Sequence, residues 1–120
     1  MKIALTTYGD SLEAKLDSSF GRAKQFMIYD LETDTFQMKD NNQNLNAVQG
    51  AGIQAAQNVA EAGAEAVITG HCGPKAFLVL TTAKIEVYNT KAVTVKEAIE
   101  KFKKGELTKA DAADVDAHWV

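Results

Sequence analysis

The order of apolar runs and helical segments in the second half of the chain constrains the fold more than any other feature. Ala66–Thr69 (AVIT) is a short apolar run ended by Gly70, and residues 84–89 (KIEVYN) alternate as a strand does. Between them a helix is expected over residues 74–82, opened by Pro74, which suits a first turn because no amide donor is needed there. A further helix is expected to about Lys104, with Val95, Ala98, Ile99 and Phe102 as its apolar stripe. Thr94 and Glu97 form a capping-box pattern at its start. Strand–helix–strand–helix in this order implies parallel strands joined by right-handed crossovers.

The first half extends the same sheet. Residues 2–7 (KIALTT) are β-compatible and are broken by Gly9-Asp10. Residues 25–31 (QFMIYDL) form a near-continuous apolar run, as a strand buried on both faces does. After a turn at Glu32-Thr33-Asp34, residues 35–39 alternate, with Phe36 and Met38 on one face, so the two runs predict an antiparallel hairpin. The polar stretch 40–46 reads as a solvated connection. A helix is expected over residues 48–62, with Val48, Gly52, Ala55, Val59 and Ala62 on one face and Gly63 as its stop. The helix at 74–82 is apolar on most sides and is expected to be well covered. The sum is one α/β domain over residues 1–107, a mixed five-stranded sheet with an antiparallel hairpin, followed by a tail at 108–120.

Composition removes several functions. The chain has 120 residues, 13 basic against 16 acidic, and a net charge of −3, so neither nucleic acid nor an anionic membrane surface is an expected partner. No apolar run approaches the roughly 20 residues that span a bilayer. Cys72 is the single cysteine, which excludes an internal disulfide and a zinc site of paired cysteines and fits a reducing, cytoplasmic location. Neither a phosphate-loop pattern nor a G-x-G-x-x-G pattern is present, and neither is a G-x-S-x-G nucleophile turn. The expected ends of the first and fourth strands, Thr7 and Thr69-Gly70, lack the carboxylates of a metal-dependent nuclease. No enzymatic activity is expected.

In an open α/β sheet, ligands sit beyond the carboxyl ends of the parallel strands. Three segments should converge there: Thr6-Thr7-Tyr8-Gly9, Gly50-Ala51-Gly52, and Gly70-His71-Cys72-Gly73-Pro74. Glycine permits close backbone approach, and helix N-termini offer amides to an anion. Gly50 and Gly52 equally suit tight helix packing. A thiol near a helix start is a better ligand or nucleophile, and imidazole is a common metal ligand, so Cys72 and His71 are candidate metal ligands; a buried inert thiol and a surface imidazole are the alternative. One Cys and one His do not close a four-ligand site, whereas a cluster carrying its own sulfides needs fewer protein ligands. Arg22 is a candidate anion partner or a surface ion pair. His118, beside Trp119, is a weaker candidate ligand near the terminus.

Phe20-Gly21-Arg22-Ala23 with Phe26-Met27-Ile28-Tyr29, the Gly50-Ala51-Gly52 helix start, Gly70 with Gly73-Pro74-Lys75-Ala76-Phe77, the opening Met1-Lys2-Ile3-Ala4 and the last helix together resemble the dinitrogenase iron–molybdenum cofactor family. That family includes NifX-like and NifB C-terminal-like domains and a stand-alone orange-protein branch. The resemblance runs to about Leu107. It implies a ribonuclease-H-like, three-layer α/β/α fold. It also implies non-catalytic binding and carriage of a molybdenum- or iron-containing sulfide cluster, with or without copper, in cofactor assembly or storage, and none bound where the host lacks it. By position, Phe20, Gly21, Arg22, Gly50, Ala51, Gly52, Gly70, His71, Cys72, Gly73 and Pro74 would line the site. The implied partner is a cluster-assembly or recipient protein, an assembly ATPase among the candidates. An interaction module docking without a cluster, and a thiol redox protein using Cys72, are the competing readings.

Overall fold

Pairing between distant strands sets the architecture. The computed structural model describes residues 1–41 and 50–113. Strand β1 (Lys2–Thr7) pairs antiparallel with β2 (Gln25–Asp30), which turns back into β3 (Thr35–Asp40). On its other side β1 pairs parallel with β4 (Ala66–Thr69), which pairs parallel with β5 (Glu86–Asn89). The sheet order is β3-β2-β1-β4-β5, so the expected mixed sheet with an antiparallel hairpin is observed.

Strand alternation distributes the core over two faces. Ala4, Phe26, Ile28, Val67 and Val87 point to one face, where α1 (Ala51–Glu61) contributes Ala55, Ala56 and Val59 and α2 (Pro74–Thr82) contributes Ala76 and Leu80. Ile3, Leu5, Met27, Tyr29 and Ile68 point to the other, where α3 (Val95–Lys103) contributes Val95, Ala98 and Ile99. Helices therefore cover both faces, giving three layers. β1, β2 and β4 are near-continuously apolar because they are central and covered twice. β3 alternates because it is an edge strand.

Helix ends follow local chemistry. The Thr94 hydroxyl accepts the Glu97 N–H at 3.1 Å, while the Glu97 carboxylate accepts from Val93 N at 3.2 Å, one residue before the position a reciprocal capping box uses. Lys101 pairs with Glu97 one turn on, at 3.6 Å. Gly63, at φ +82°, turns the chain from α1 into β4 in a conformation that costs an L side chain energy.

Three expectations change. The expected start of the first helix at Val48 lies outside the described residues; within them α1 is capped by Gly50. Lys84 and Ile85 stand outside β5, because Lys84 adopts φ +62° as the chain leaves α2. The helix α2 is less covered than its sequence suggests: Leu78 is 66% exposed, since α2 lies against α1 and one flank of the sheet with no further layer outside it.

The stretch after Leu107 is joined to the sheet at its start. Ala110 N–H donates to the Val87 carbonyl at 2.8 Å and Lys109 bridges Tyr88, so the free edge of β5 is partly covered.

Candidate functional site

The three parallel strands end at the same edge, at Thr7, Thr69 and Asn89. Each crossover helix runs back against its strands, so α1, α2 and α3 all begin at that edge. The three starts are not equivalent. The first amides of α3 are occupied: Val95 N–H donates to the Ala14 carbonyl, Lys96 N–H to the Leu12 carbonyl, both at 2.9 Å, and Glu97 N–H to Thr94. Helices α1 and α2 begin at Gly50 and Gly73, with no side-chain cap and no acidic residue in the first turn. Their amide ends carry the partial positive charge that favours an anion.

The segment 16–23 crosses this edge and is fastened to it at two levels. Asp17 N–H donates to the Thr6 carbonyl at 2.8 Å, and the Thr6 hydroxyl donates to the Asp17 carbonyl while lying 2.9 Å from the Thr69 hydroxyl. Next, His71 N–H donates to the Ser18 carbonyl at 2.7 Å and Phe20 N–H donates to the His71 carbonyl at 3.1 Å. This two-bond bridge requires Gly70. A Cβ there would lie 2.7 Å from the Ser18 carbonyl oxygen and 2.8 Å from its Cα.

The bridge divides the predicted site residues. Phe20 and Cys72 turn into the core beneath α1 and α2; the Phe20 ring meets Phe26 at 5.5 Å and Cys72 is 1% exposed, its thiol 3.7 Å from the Gly73 carbonyl. His71 faces the opposite way, into a cleft of about 400 Å³ walled by Leu16, Ser18, Gly70, Asn89 and the connection from Thr90 to Ala92. Arg22 is exposed, its N–H donating to the Ser19 hydroxyl at 3.3 Å. Gly73 and Pro74 form the start of α2. Gly50, Ala51 and Gly52 start α1 at the same edge without walling the cleft. His118 lies outside the described residues.

Asn41, in the stretch read as a solvated connection, is buried. Its amide donates to the Ala23 carbonyl at 2.7 Å and the Gly21 carbonyl at 3.3 Å, and its oxygen accepts from Asn58 of α1 at 2.7 Å. It thereby holds the Gly21–Ala23 turn to the helix. The rest of that stretch, from Asn42, lies outside the described residues.

Two parts of the site are absent from the sequence reading. Asp17 is buried, its carboxylate accepting from Ser19 N–H at 3.0 Å. Its negative charge foremost, then burial and a hydrogen bond to the same carboxylate, holds the exposed Tyr8 phenol above its ordinary pKa. The signal was the Asp17-Ser18-Ser19 run, an Asx-turn pattern. The other part is the wall from Asn89 to Ala92. Asn89 donates to the Gly70 carbonyl at 3.2 Å, and Ala92 N–H donates to the Thr90 hydroxyl at 3.1 Å. As the polar end of the third parallel strand, it could have been found by the same rule that picked out the other two.

Among the described residues no group of three His, Cys, Asp or Glu side chains comes together as a metal site. The arrangement suits a preassembled anion bearing its own ligands better than a bare metal ion.

Fold and edge define a three-layer α/β domain with two helix starts that lack side-chain caps at its carboxyl edge. The chain belongs to the dinitrogenase iron–molybdenum cofactor family, whose model matches residues 1–105. It is similar to the orange protein of Desulfovibrio gigas, solved in its apo form, with 36% identity, a TM-score of 0.89, and coverage of 95% of this chain and 96% of that one. A NifB-like protein from Thermotoga is 30% identical with a TM-score of 0.76, over 90% of this chain and 91% of that one. An uncharacterized protein of Methanocaldococcus jannaschii is 33% identical over 111 residues, 91% of each chain. The expected α/β fold with a mixed five-stranded sheet agrees with the fold of these two solved structures. Among the described residues no helix is long and apolar enough to cross a membrane.

Proposed function

We propose that this protein binds and carries an anionic metal–sulfide cluster, of the molybdenum–iron or molybdenum–copper type, in cofactor assembly or storage, without catalysing a reaction. The observation that carries this reading is the pair of glycine-capped helix starts, at Gly50 and Gly73, directed at one sheet edge in a chain of this family. Two such ends stabilise negative charge without a protein thiolate. With Cys72 buried, sulfide supplied by the cargo replaces cysteine as the metal's ligand, and the protein contributes shape, hydrogen bonds and field. A cargo held in this way can be passed on without breaking metal–protein bonds, which suits transfer to an assembly or recipient protein in the cytoplasm.

The test is anaerobic incubation of the full chain with tetrathiomolybdate plus copper(I), and separately with iron and sulfide, followed by desalting, visible absorption and metal analysis. A coloured species retained at a fixed metal-to-protein ratio supports carriage and identifies the cluster class. A folded protein that retains no colour from either mixture overturns it.

A second reading is an interaction module that docks on an assembly ATPase without a cluster. Leu78, 66% exposed on α2, favours it. Binding of the cluster-free chain to such an ATPase, lost in Leu78→Ser, combined with no cluster retention, would put this reading in first place.

A further inference from the structure

Arg22 is the one arginine among the 13 basic residues, and the backbone on both sides of it is fastened to buried groups. Phe20 and Ala23 sit in the core that α1 and α2 cover, while Arg22 between them is exposed. A single side chain clamps the two carbonyls that flank Arg22. The amide nitrogen of buried Asn41 donates to the Gly21 carbonyl at 3.3 Å and to the Ala23 carbonyl at 2.7 Å. The backbone N–H of Asn41 donates to the Lys24 carbonyl at 3.0 Å, which carries the β2–β3 ladder one pair further. The side-chain oxygen of Asn41 accepts from Asn58, in the third turn of α1, at 2.7 Å. With both amide hydrogens committed to carbonyls, only one orientation of the Asn41 amide satisfies every partner.

The other end of the turn is held from α2. Arg22 N–H donates to the Ser19 hydroxyl at 3.3 Å, and Phe20 N–H donates to the His71 carbonyl at 3.1 Å, two residues before the Gly73 cap. The turn that bears Arg22 is thus tied to the two helices whose starts lack side-chain caps, and not to α3.

Burial of Phe20 and Ala23 keeps the turn near the core, but apolar contact is non-directional and does not fix how the backbone between them is oriented. A buried, fully satisfied polar network does, because its members accept one geometry. Orientation matters for arginine in particular: the guanidinium is a planar fork of donors, useful only when it leaves the backbone in the right direction.

We infer that Asn41 is a positioning residue of the cargo site: through the carbonyls of Gly21 and Ala23 it fixes the direction in which Arg22 leaves the turn, and through Asn58 it sets that direction relative to α1, so that the guanidinium and the two helix starts act on one anion. Arg22 is the contact, and Asn41 acts through it without touching the cargo. This rests on the cluster-carrier reading and adds to it how the charged contact is oriented.

The experiment is a double-mutant cycle on the retention of tetrathiomolybdate plus copper(I), measured anaerobically by visible absorption and metal analysis on the full chain, well below the unfolding transition of each variant. The variants are Arg22→Gln, Asn41→Ala, Asn58→Ala, the two doubles that combine Arg22→Gln with each asparagine change, and the control Lys104→Gln. Arg22→Gln should weaken retention roughly five- to ten-fold, as loss of one charge-assisted contact does. Asn41→Ala should weaken it by a similar factor although Arg22 is still present, and Asn58→Ala by less. Each double should be no weaker than Arg22→Gln alone, because coupled positions do not add. Raising salt from about 0.05 to about 0.5 M should weaken wild type more than either Arg22→Gln or Asn41→Ala. Lys104→Gln should match wild type.

A merely structural Asn41 would lower the unfolding temperature and leave the affinity and salt dependence of the folded protein unchanged; that result overturns the inference. So does Arg22→Gln equal to wild type, or doubles whose losses multiply. Each of these leaves the carrier reading intact as long as wild type retains the cluster. Should Asn41→Ala not fold, Asn58→Ala and its double decide by the same criteria. Absence of retention in folded wild-type protein overturns the two readings together.

Discussion

Gly70 and Ser18 meet backbone to backbone, so closely that a Cβ on Gly70 would lie 2.7 Å from the Ser18 carbonyl oxygen. That contact lets the 16–23 segment lie flat across the ends of β1 and β4 and exchange hydrogen bonds with both sides of His71. Gly70→Ala must push the segment away. The expected cost is about 1–3 kcal/mol, the range for an inserted methyl in a tightly packed place. Urea unfolding measures it. The same variant should lose cluster retention beyond what its stability explains, because the 16–23 segment that crosses the carboxyl edge is displaced.

Cys72 is expected to behave as a small apolar core residue. Cys72→Ala should retain the cluster like wild type and lose about 1 kcal/mol of stability, the scale of one buried methylene-sized group. In native protein the thiol should react with a soluble disulfide reagent much more slowly than after denaturation. Rapid native labelling, or loss of metal from a folded Cys72→Ala protein, would show that the thiol reaches the ligand.

Asn41 joins the Gly21–Ala23 turn to α1 through Asn58. Asn41→Ala removes the acceptor of the Asn58 amide and the donor to two carbonyls, and is expected to cost about 1–3 kcal/mol, the penalty for polar groups left unsatisfied out of water. Because Asn58 keeps part of its surface in solvent, Asn58→Ala should cost less. Thermal unfolding of the two variants gives the order directly.

Lys103 donates to Asp34 at 2.7 Å and Tyr29 donates to the same oxygen at 2.7 Å, which ties the β2–β3 turn to the end of α3. The hydrogen bond from Lys103 first, and that from Tyr29 next, lower the Asp34 pKa. A lowered folded-state value means stabilisation that is complete above the unfolded carboxyl pKa, about 3.9, and is lost as pH falls through the folded value. Asp34→Asn should therefore flatten the acid side of the stability profile, below about pH 4, and leave the slope near neutrality unchanged. Both groups are exposed, so the difference at neutral pH should be small and should shrink with salt. Thermal unfolding as a function of pH tests both points.

Element type and order were legible in the residues because they follow from local spacing. The near-continuous apolar run of KIALTT, the alternation of TFQMKD, the threefold and fourfold spacing of Val95, Ala98, Ile99 and Phe102, and the Thr94–Glu97 cap act over a few residues and need no distant partner. Pro74 and the strand order likewise predicted where α2 begins and that β1, β4 and β5 run parallel. The tertiary structure alone decided how the site is divided. His71 and Cys72 are neighbours on extended backbone, whose side chains alternate, so which of them enters the core depends on which face α1 and α2 cover. The approach of Ser18 to Gly70 and the wall from Asn89 to Ala92 arise from pairing β1 with β4 and β4 with β5 across long sequence separations, and no local pattern encodes those distances. Sequence spacing thus made an anion-receptive edge expected; the order of strands in the sheet determined which residues stand at it.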